Sequence, residues 1–463
     1  MSVFLDNNGT TPINQAVKEE FIKWLDITAN PSSSYKAAIQ TKKMIQTNKE
    51  ALLEHAFCSS NVKSANCYQV TYTSGASESN CFIIRACVAA YHQKCKIKPC
   101  VIISAIEHES IMSCCNDLAE HDMAEIIYIM PNYEGTVLVK SVESALSEHN
   151  NVALVSIMFA NNEIGTINNV KEIGAIAHNH RVPLHVDAVQ MFGKFQINIP
   201  SNNIDAMSVS FHKMGGPVAI GALFIRSELI ENYGLCAMIN GTQQGGLRGG
   251  TEAYPAIAAS GVALKQAFMH RGDKNTKLLE LRNLLINGFA KIYPIGSYER
   301  YLRRDMQSSI DTYTTIYDPS KLGFGDNKKV VQLEFEPVEI VVLGPQQNES
   351  VRFLPNTVLF SIVKNVHDRY GPFCNGKLKN DLERKGFIVS IGSACHTSNP
   401  ERSHVLKAIE CPDIVARGII RVSIGDYNTR SDIVEFLKML KVCCERQIVG
   451  KVILPKKKKD IKK

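Results

Sequence analysis

No run of apolar residues in the 463-residue chain is long enough to span a bilayer. A helical membrane protein is thereby excluded, and no membrane association is expected. The first residues, Met1-Ser-Val-Phe-Leu-Asp-Asn, show neither a secretion-signal pattern nor the arginine-rich pattern of a transit peptide. The expected location is the cytoplasm, or a compartment reached without such a peptide. The fourteen cysteines include no Cys-x-x-Cys pair, so no zinc site of that spacing is expected. In a chain without a secretion signal most of these thiols read as reduced and buried. Internal repeats are missing as well. Charge is scarce once one segment is set aside: of the formal net charge of +7, seven lysines and one aspartate between Lys451 and Lys463 supply +6, which leaves about +1 for the rest. That excludes a strongly basic nucleic-acid face on the folded body, and the tail reads as a disordered, solvated end.

What is present is ordinary globular composition, with 45% hydrophobic and 21% charged residues. The length implies two or three domains. From Tyr68 to Arg226 apolar, β-rich runs occur at 68–73, 100–104, 125–130, 153–158, 183–188, 206–210 and 219–226. Helical stretches lie between several of them, for example 79–92, 139–149 and 170–180. Strands alternating with helices predict an α/β domain, a mostly parallel seven-stranded sheet covered on both faces. Ahead of it, 14–25 reads as a helix and Asn30-Pro-Ser-Ser-Ser34 as a turn. Beyond it, 255–293 reads as helical and 297–350 carries no assignable pattern. Strands at 351–363, 387–390 and 419–424, with helices at 377–385, 400–409 and 431–446, predict a smaller α+β domain. The expected division is a large domain over 12–260, a small domain over 1–11 with 261–450, and the basic tail 451–463.

Chemistry concentrates at the ends of the expected strands, where open α/β sheets hold their ligands. Met207-Ser-Val-Ser-Phe-His-Lys213-Met-Gly-Gly-Pro217 is a buried run that ends in a glycine-rich turn bearing a lysine. A lysine held there is suited to form a Schiff base. Upstream, His185-Val-Asp-Ala-Val-Gln190 ends a second buried run on a carboxylate and an amide. A lysine and a strand-end aspartate are the minimum set for pyridoxal 5′-phosphate: an imine partner and a carboxylate against the pyridine nitrogen. Thr73-Ser-Gly-Ala-Ser77-Glu-Ser-Asn80 is a run of small residues between a strand and a helix, which suits a phosphate and equally suits simple helix capping. Asn240–Thr251 is the densest glycine stretch. Cys395 stands in Gly392-Ser-Ala-Cys-His-Thr-Ser398, a polar loop that is poor core and predicts a mobile thiol.

These stretches, together with Leu5-Asp-Asn-Asn-Gly-Thr-Thr, Glu107-His, Asn161-Asn-Glu-Ile-Gly, Leu247-Arg-Gly-Gly-Thr-Glu and Ile420-Arg-Val-Ser-Ile-Gly, follow one another in an order that resembles the cysteine desulfurases. That family belongs to the class V aminotransferase group of fold type I pyridoxal phosphate enzymes, and the resemblance runs from about residue 3 to residue 440. It implies conversion of L-cysteine to L-alanine, with the sulfur left on a protein thiol as a persulfide. It implies that Lys213 carries the cofactor and takes the Cα proton, that Asp187 keeps the pyridine nitrogen protonated, that Gln190 donates to the phenolic oxygen, and that His108 stacks on the ring. Ala76, Ser77, Ser210 and His212 would hold the phosphate, with Thr251 reaching it from the second subunit of a homodimer. Asn162 and Arg421 would hold the substrate carboxylate, and Cys395 would accept the sulfur and pass it to an acceptor protein such as an iron–sulfur scaffold. Two alternatives stay open: another class V enzyme, such as a selenocysteine lyase or an aminotransferase, and a catalytically silent dimeric scaffold for sulfur-transfer partners. Transamination needs no thiol, so Cys395 speaks against it. The joint presence of Lys213, Asp187, His108 and Cys395 speaks against the silent scaffold.

Overall fold

The computed structural model describes residues 2–57, 67–304, 338–345, 352–364, 373–391 and 402–448. At its centre a seven-stranded sheet runs in the order Tyr68–Thr73, Gly221–Arg226, Ala206–Ser210, Leu184–Asp187, Val152–Ser156, Cys100–Ser104, Glu125–Ile129. Neighbours pair in parallel except Gly221–Arg226, which is antiparallel to both of its partners. All seven runs expected from the sequence are strands of this one sheet. The reason lies in their two apolar faces. In Cys100–Ser104, Cys100 and Ile102 pack on one side while Val101 and Ile103 pack on the other. A sheet with crossover helices on both sides requires that pattern. One face is covered by helices Lys36–Phe57, Val139–Glu148, Val170–Asn179 and Tyr254–Phe268, the other by Ala76–Cys95, Glu109–Glu120 and Ser227–Tyr233.

A second sheet has the order Ile295–Gly296, Val338–Leu343, Thr357–Lys364, Ile419–Ser423. Its central strand Thr357–Lys364 is buried along its whole length. Val358, Phe360 and Ile362 face a core shared with helices Arg271–Phe289, Asn375–Arg384 and Arg430–Ile448, whereas Leu359 and Val363 join the core of the large sheet. The small sheet is therefore sandwiched between its own helices and the body of the large one. The chain's first strand, Val3–Phe4, pairs in parallel with Phe387–Ile388, and Asp6 bridges to Ser423. Residues from both ends of the sequence thus meet beside the large sheet.

Some expectations change. The single helical stretch at 255–293 is two helices, Tyr254–Phe268 and Arg271–Phe289, because Met269 is extended and His270 turns into the left-handed region at φ 53°. The run at 351–363 also splits: Arg352–Phe353 pairs with Thr166–Ile167, and Thr357–Lys364 belongs to the small sheet. Of the helix expected at 400–409, the described part is His404–Ala408. Strand Val338–Leu343 lies inside the stretch that carried no assignable pattern. Helix Lys36–Phe57 has a faint sequence signal, since its buried residues Ala38, Thr41, Ile45, Leu52 and Ala56 are small or widely spaced among lysines and glutamines. Among the described residues no helix is long and apolar enough to cross a membrane.

Candidate active site

The parallel strands release the chain at one edge of the large sheet, and the polar residues that follow them converge there. Strand Ala206–Ser210 runs into a single tight turn, Phe211–Met214, closed by Gly215 at φ 80°. Thr11 ties this turn to the N-terminal segment: its N–H donates to the His212 carbonyl (2.9 Å) and its Oγ1 to the Lys213 carbonyl (3.1 Å). The Nζ of Lys213 donates to the carbonyls of Asn8 (2.7 Å) and Gly9 (2.6 Å). Burial, seconded by the Arg421 guanidinium, pulls the Lys213 pKa down to about 8, while Asp6 and Asp187 pull it upward. A share of the amine is then free base near neutral pH, as a nucleophile or proton acceptor requires.

The neighbouring strand Leu184–Asp187 ends on a buried carboxylate. Asp187 Oδ1 accepts from the Val189 N–H (3.0 Å) and Oδ2 from Asn80 Nδ2 (2.9 Å). Asn80 sits on the buried side of helix Ala76–Cys95 and also donates to Ser110 Oγ (3.1 Å). Ser110 in turn meets His108 Nδ1 (2.8 Å), and His108 caps helix Glu109–Glu120 by accepting the Ser110 N–H. A continuous line of contacts therefore links the strand-end carboxylate to the exposed imidazole. Glu107, next to His108, is fully buried. Its Oε1 accepts from Ser104 Oγ and from the Met158 N–H (2.8 Å), while Oε2 has no partner among the described residues. Burial above all pushes its pKa up to about 8.

Between strand Tyr68–Thr73 and helix Ala76–Cys95 the chain turns at Gly75, whose φ of 155° and ψ of 172° suit glycine alone. A Cβ at Gly221 would lie 2.6 Å from the Gly75 carbonyl carbon, so the absence of a side chain at Gly221 lets the turn press against the antiparallel strand. No side chain caps this helix. Its first N–H groups, opened by Ala76 and Ser77, are left for an anion. Ser210 and His212 stand at the facing strand end. Burial, then Lys213, lowers the His212 pKa to about 4, so this ring is neutral at pH 7; its Nδ1 lies 3.1 Å from Thr10 Oγ1.

The opposite wall comes from the small sheet and the N-terminal segment. Buried Arg421, on strand Ile419–Ser423, donates from Nη1 to the Asn162 carbonyl (3.1 Å) and from Nη2 to Asp6 Oδ1 (2.6 Å). Its Nε is buried and has no partner among the described residues. Asn8 holds the wall together, donating from Nδ2 to the Asn162 carbonyl (3.0 Å) and to Thr357 Oγ1 (2.8 Å).

The two walls enclose a cavity of about 470 Å³. Ten of the expected site residues line it: Ala76, Ser77, His108, Asn162, Asp187, Gln190, Ser210, His212, Lys213 and Arg421. Thr251 does not. It is exposed, close in sequence to Arg248, which pairs with Glu78 in the first turn of the helix behind the cavity (3.0 Å). Cys395 lies outside the described residues. Sequence motifs assign no role to Asp6, Asn8, Asn80, Glu107 or Lys194. A signal existed for Asn80, a polar residue on the helix face that also buries Ile83, Ile84 and Cys87. For Asp6 and Asn8 no local pattern could supply one, because their partners lie far away in the sequence.

Pyridoxal phosphate fits these residues on the chemistry of the donor set. A half-buried lysine with a share of free base, a buried carboxylate near it, an uncapped helix start at Gly75 held against Gly221, and a guanidinium whose Nε has no partner among the described residues face one cavity. The comparisons agree. Residues 3–309 match the family model described as aminotransferase class-V. A curated relative named cysteine desulfurase IscS, from Clostridium botulinum, is 31% identical over 440 residues, covering 95% of this chain and 93% of that one. A solved NifS-like protein superposes with a TM-score of 0.74 at 25% identity, covering 96% of this chain and all (100%) of that one. The NifS-like protein from Rickettsia africae gives 0.72 at 26% identity, with 96% and 100% covered. With the matching family model spanning well over half the chain, and a relative of this identity nearly end to end, the protein belongs to the class-V aminotransferase family, among its pyridoxal phosphate-dependent cysteine desulfurases.

Proposed function

We propose that the protein converts L-cysteine to L-alanine and passes the sulfur, through a persulfide on Cys395, to an acceptor protein. One observation carries the reading: Asp187 ends one strand and Lys213 sits in the turn that follows its neighbour, on one side of a cavity whose other side presents Arg421. Pyridoxal phosphate, when bound, supplies the electron sink that makes the Cα proton labile and the Cβ–Sγ bond cleavable. The protein's part is positional. Lys213 Nζ is the attachment point and takes the proton from Cα. Asp187 keeps a proton on the ring nitrogen, and its two hydrogen bonds hold it in one orientation. Gln190 donates to the phenolic oxygen, and His108 covers the ring face. Ala76 and Ser77 offer backbone N–H groups to the phosphate, and Ser210 and the neutral His212 add side-chain hydrogen bonds. Thr251 contributes from the partner subunit of a homodimer. Arg421 and Asn162 bind the substrate carboxylate, for which a planar guanidinium is well shaped.

The Cys395 thiolate attacks the substrate Sγ. The Sγ–Cβ bond breaks, alanine leaves, and the sulfur stays as Cys395–S–SH, so that cysteine plus thiol gives alanine plus persulfide with no outside oxidant. The acceptor protein, which an iron–sulfur scaffold would suit, then takes the outer sulfur. We place the homodimer in the cytoplasm. The test is to incubate the purified holoenzyme with L-cysteine and an excess of a small thiol, and to measure alanine and sulfide together. Equal amounts are expected. Cysteine consumed with pyruvate rather than alanine would overturn the proposal.

A further inference from the structure

The turn that follows Asp187 carries a second lysine that none of these roles uses. Residues 188–195 fold on themselves: Phe192 N–H donates to the Ala188 carbonyl (2.8 Å), Lys194 N–H to the Met191 carbonyl (3.0 Å), and Gly193 takes φ 87°. A Cβ at Gly193 would lie 3.1 Å from Met214 Cβ, so this turn packs directly on the turn that carries Lys213. Asn275 Nδ2 fixes the Lys194 backbone by donating to its carbonyl (2.8 Å). The Lys194 side chain then reaches back four residues and donates from Nζ to Gln190 Oε1 (3.0 Å). At the other end of the same buried amide, Gln190 Nε2 donates to the Asn8 carbonyl (3.1 Å), the carbonyl that also receives Lys213 Nζ (2.7 Å).

The two ends of a glutamine amide have nearly the same shape and opposite polarity. Packing alone does not choose between them. An ammonium has only donors, so it is satisfied by the oxygen and not by the NH₂. We propose that Lys194 is a positioning residue that fixes the amide of Gln190 with its NH₂ toward the cofactor's phenolic oxygen. The inference rests on the reading above in which Gln190 donates to that oxygen. A flipped amide would set two acceptors against each other. Placing a cation here has a cost, since burial first, then Lys213 and Arg421, lower the Lys194 pKa to about 7, so the donor-only ammonium dominates below that pH and the readouts are taken there. An apolar side chain would fill the space without that cost. The Asn8 carbonyl, which can only accept, favours the NH₂ at its end; the ammonium adds the matching, charged selection at the oxygen end.

The test uses the full-length chain, stripped of cofactor and reconstituted, with the absorption band of the bound cofactor and its dissociation constant as readouts. Gln190→Ala should shift the band and weaken cofactor binding about 10-fold, the scale of one hydrogen bond to a charged group. Lys194→Met should shift the band the same way and weaken binding about 3- to 10-fold, on the same grounds. Lys194→Arg, which keeps a donor-only cation, should restore the wild-type band. In the Gln190→Ala background Lys194→Met should change nothing further, because a residue acting through another has no effect once that other is gone. If the methionine chain does not fold, Lys194→Gln takes its place with the same expected direction. A wild-type band and affinity in the Lys194 variant, or effects that multiply in the double variant, would overturn the inference. If Gln190→Ala alone leaves band and affinity unchanged, it is the reading of Gln190 that fails, and the role of Lys194 with it.

Discussion

The two walls of the cavity are built in opposite ways. On the large-sheet wall, Asp187 and Lys213 come from short motifs at the ends of adjacent parallel strands, and the pairing of Asp187 with Ser208 sets their separation. The ladder beneath them is packed in apolar side chains on both faces. On the opposite wall Arg421, Asp6 and Asn8 come from the two ends of the chain. Backbone bonds hold the segments there, Ser423 N–H to the Leu5 carbonyl (2.8 Å) and Asn7 N–H to the Ser423 carbonyl (3.1 Å), but the groups facing the cavity are set by single side-chain bonds: Arg421 to Asp6, Asn8 N–H to Ser423 Oγ (2.9 Å), and Asn8 Nδ2 to Thr357 Oγ1. A backbone ladder in a core opens only with the whole domain, whereas a side-chain bond contributes about 1 kcal/mol when neutral and about 1.5–3 kcal/mol when charged, as between Arg421 and Asp6. The first wall suits a cofactor that stays. The second suits a substrate that must enter and a product that must leave. Damage to one should therefore be separable from damage to the other.

The largest effect is expected on the first wall. Lys213→Ala removes both the attachment point and the proton acceptor, and alanine formation should fall by about 10³-fold or more. Borohydride treatment of the reconstituted protein should no longer couple the cofactor to the chain, as read by intact mass. Coupling to a different lysine would break the assignment of this wall.

An intermediate effect is expected on the second wall. Arg421→Gln should lower kcat/KM for cysteine by about 10- to 100-fold, chiefly through KM, because a charged hydrogen bond to the substrate carboxylate is lost. Cofactor affinity should stay within about twofold, since the variant leaves the first wall's ladder and hydrogen bonds in place. The melting temperature should fall as well, because Asp6 is left without its guanidinium. If the cofactor leaves with the arginine, the two walls are not separable and the comparison fails.

The same contrast explains what the sequence made legible. The central strands could be read because both of their faces are apolar, as in Cys100–Ser104 and Val152–Ser156, and Lys213, Asp187 and Gln190 could be read because each lies within a few residues of a strand end. Arg421 and Asn162 were reached through motif resemblance, not through local physics. Asn8 was beyond either route as a structural tie, since its partners Thr357 and Ser423 lie 349 and 415 residues away. The break at His270 was hidden because both flanking segments are good helix formers and the left-handed residue is not a glycine. Helix Lys36–Phe57 was hidden because tertiary packing, and not its own apolar stripe, holds it to the large sheet.

The smallest effect is expected inside the first wall. Glu107 is buried directly behind His108, and its acid is raised from an ordinary 4.5 to about 8, so at neutral pH it is mostly a neutral carboxyl. The folded chain then binds more protons than the unfolded one between those two values. The favourable contribution of this group is complete below pH 4.5, declines as pH rises, and is gone once pH passes about 8. Glu107→Gln has the shape of the neutral acid and cannot ionise. Near pH 5 the two proteins should differ by no more than about 1 kcal/mol, the scale of one altered hydrogen bond. From pH 6 to 9 the wild type should lose melting temperature relative to the variant. Lys213 and Lys194 titrate nearby, and their depressed values act in the opposite sense, adding stability as pH rises from the folded pKa toward the unfolded 10.5. Both chains carry those lysines, so the difference between the two melting curves cancels them and isolates Glu107. Curves that stay parallel across the range would mean that the carboxyl behind His108 is ionised in the fold. A rigid wall could keep it so only by supplying Oε2 with a donor it lacks among the described residues.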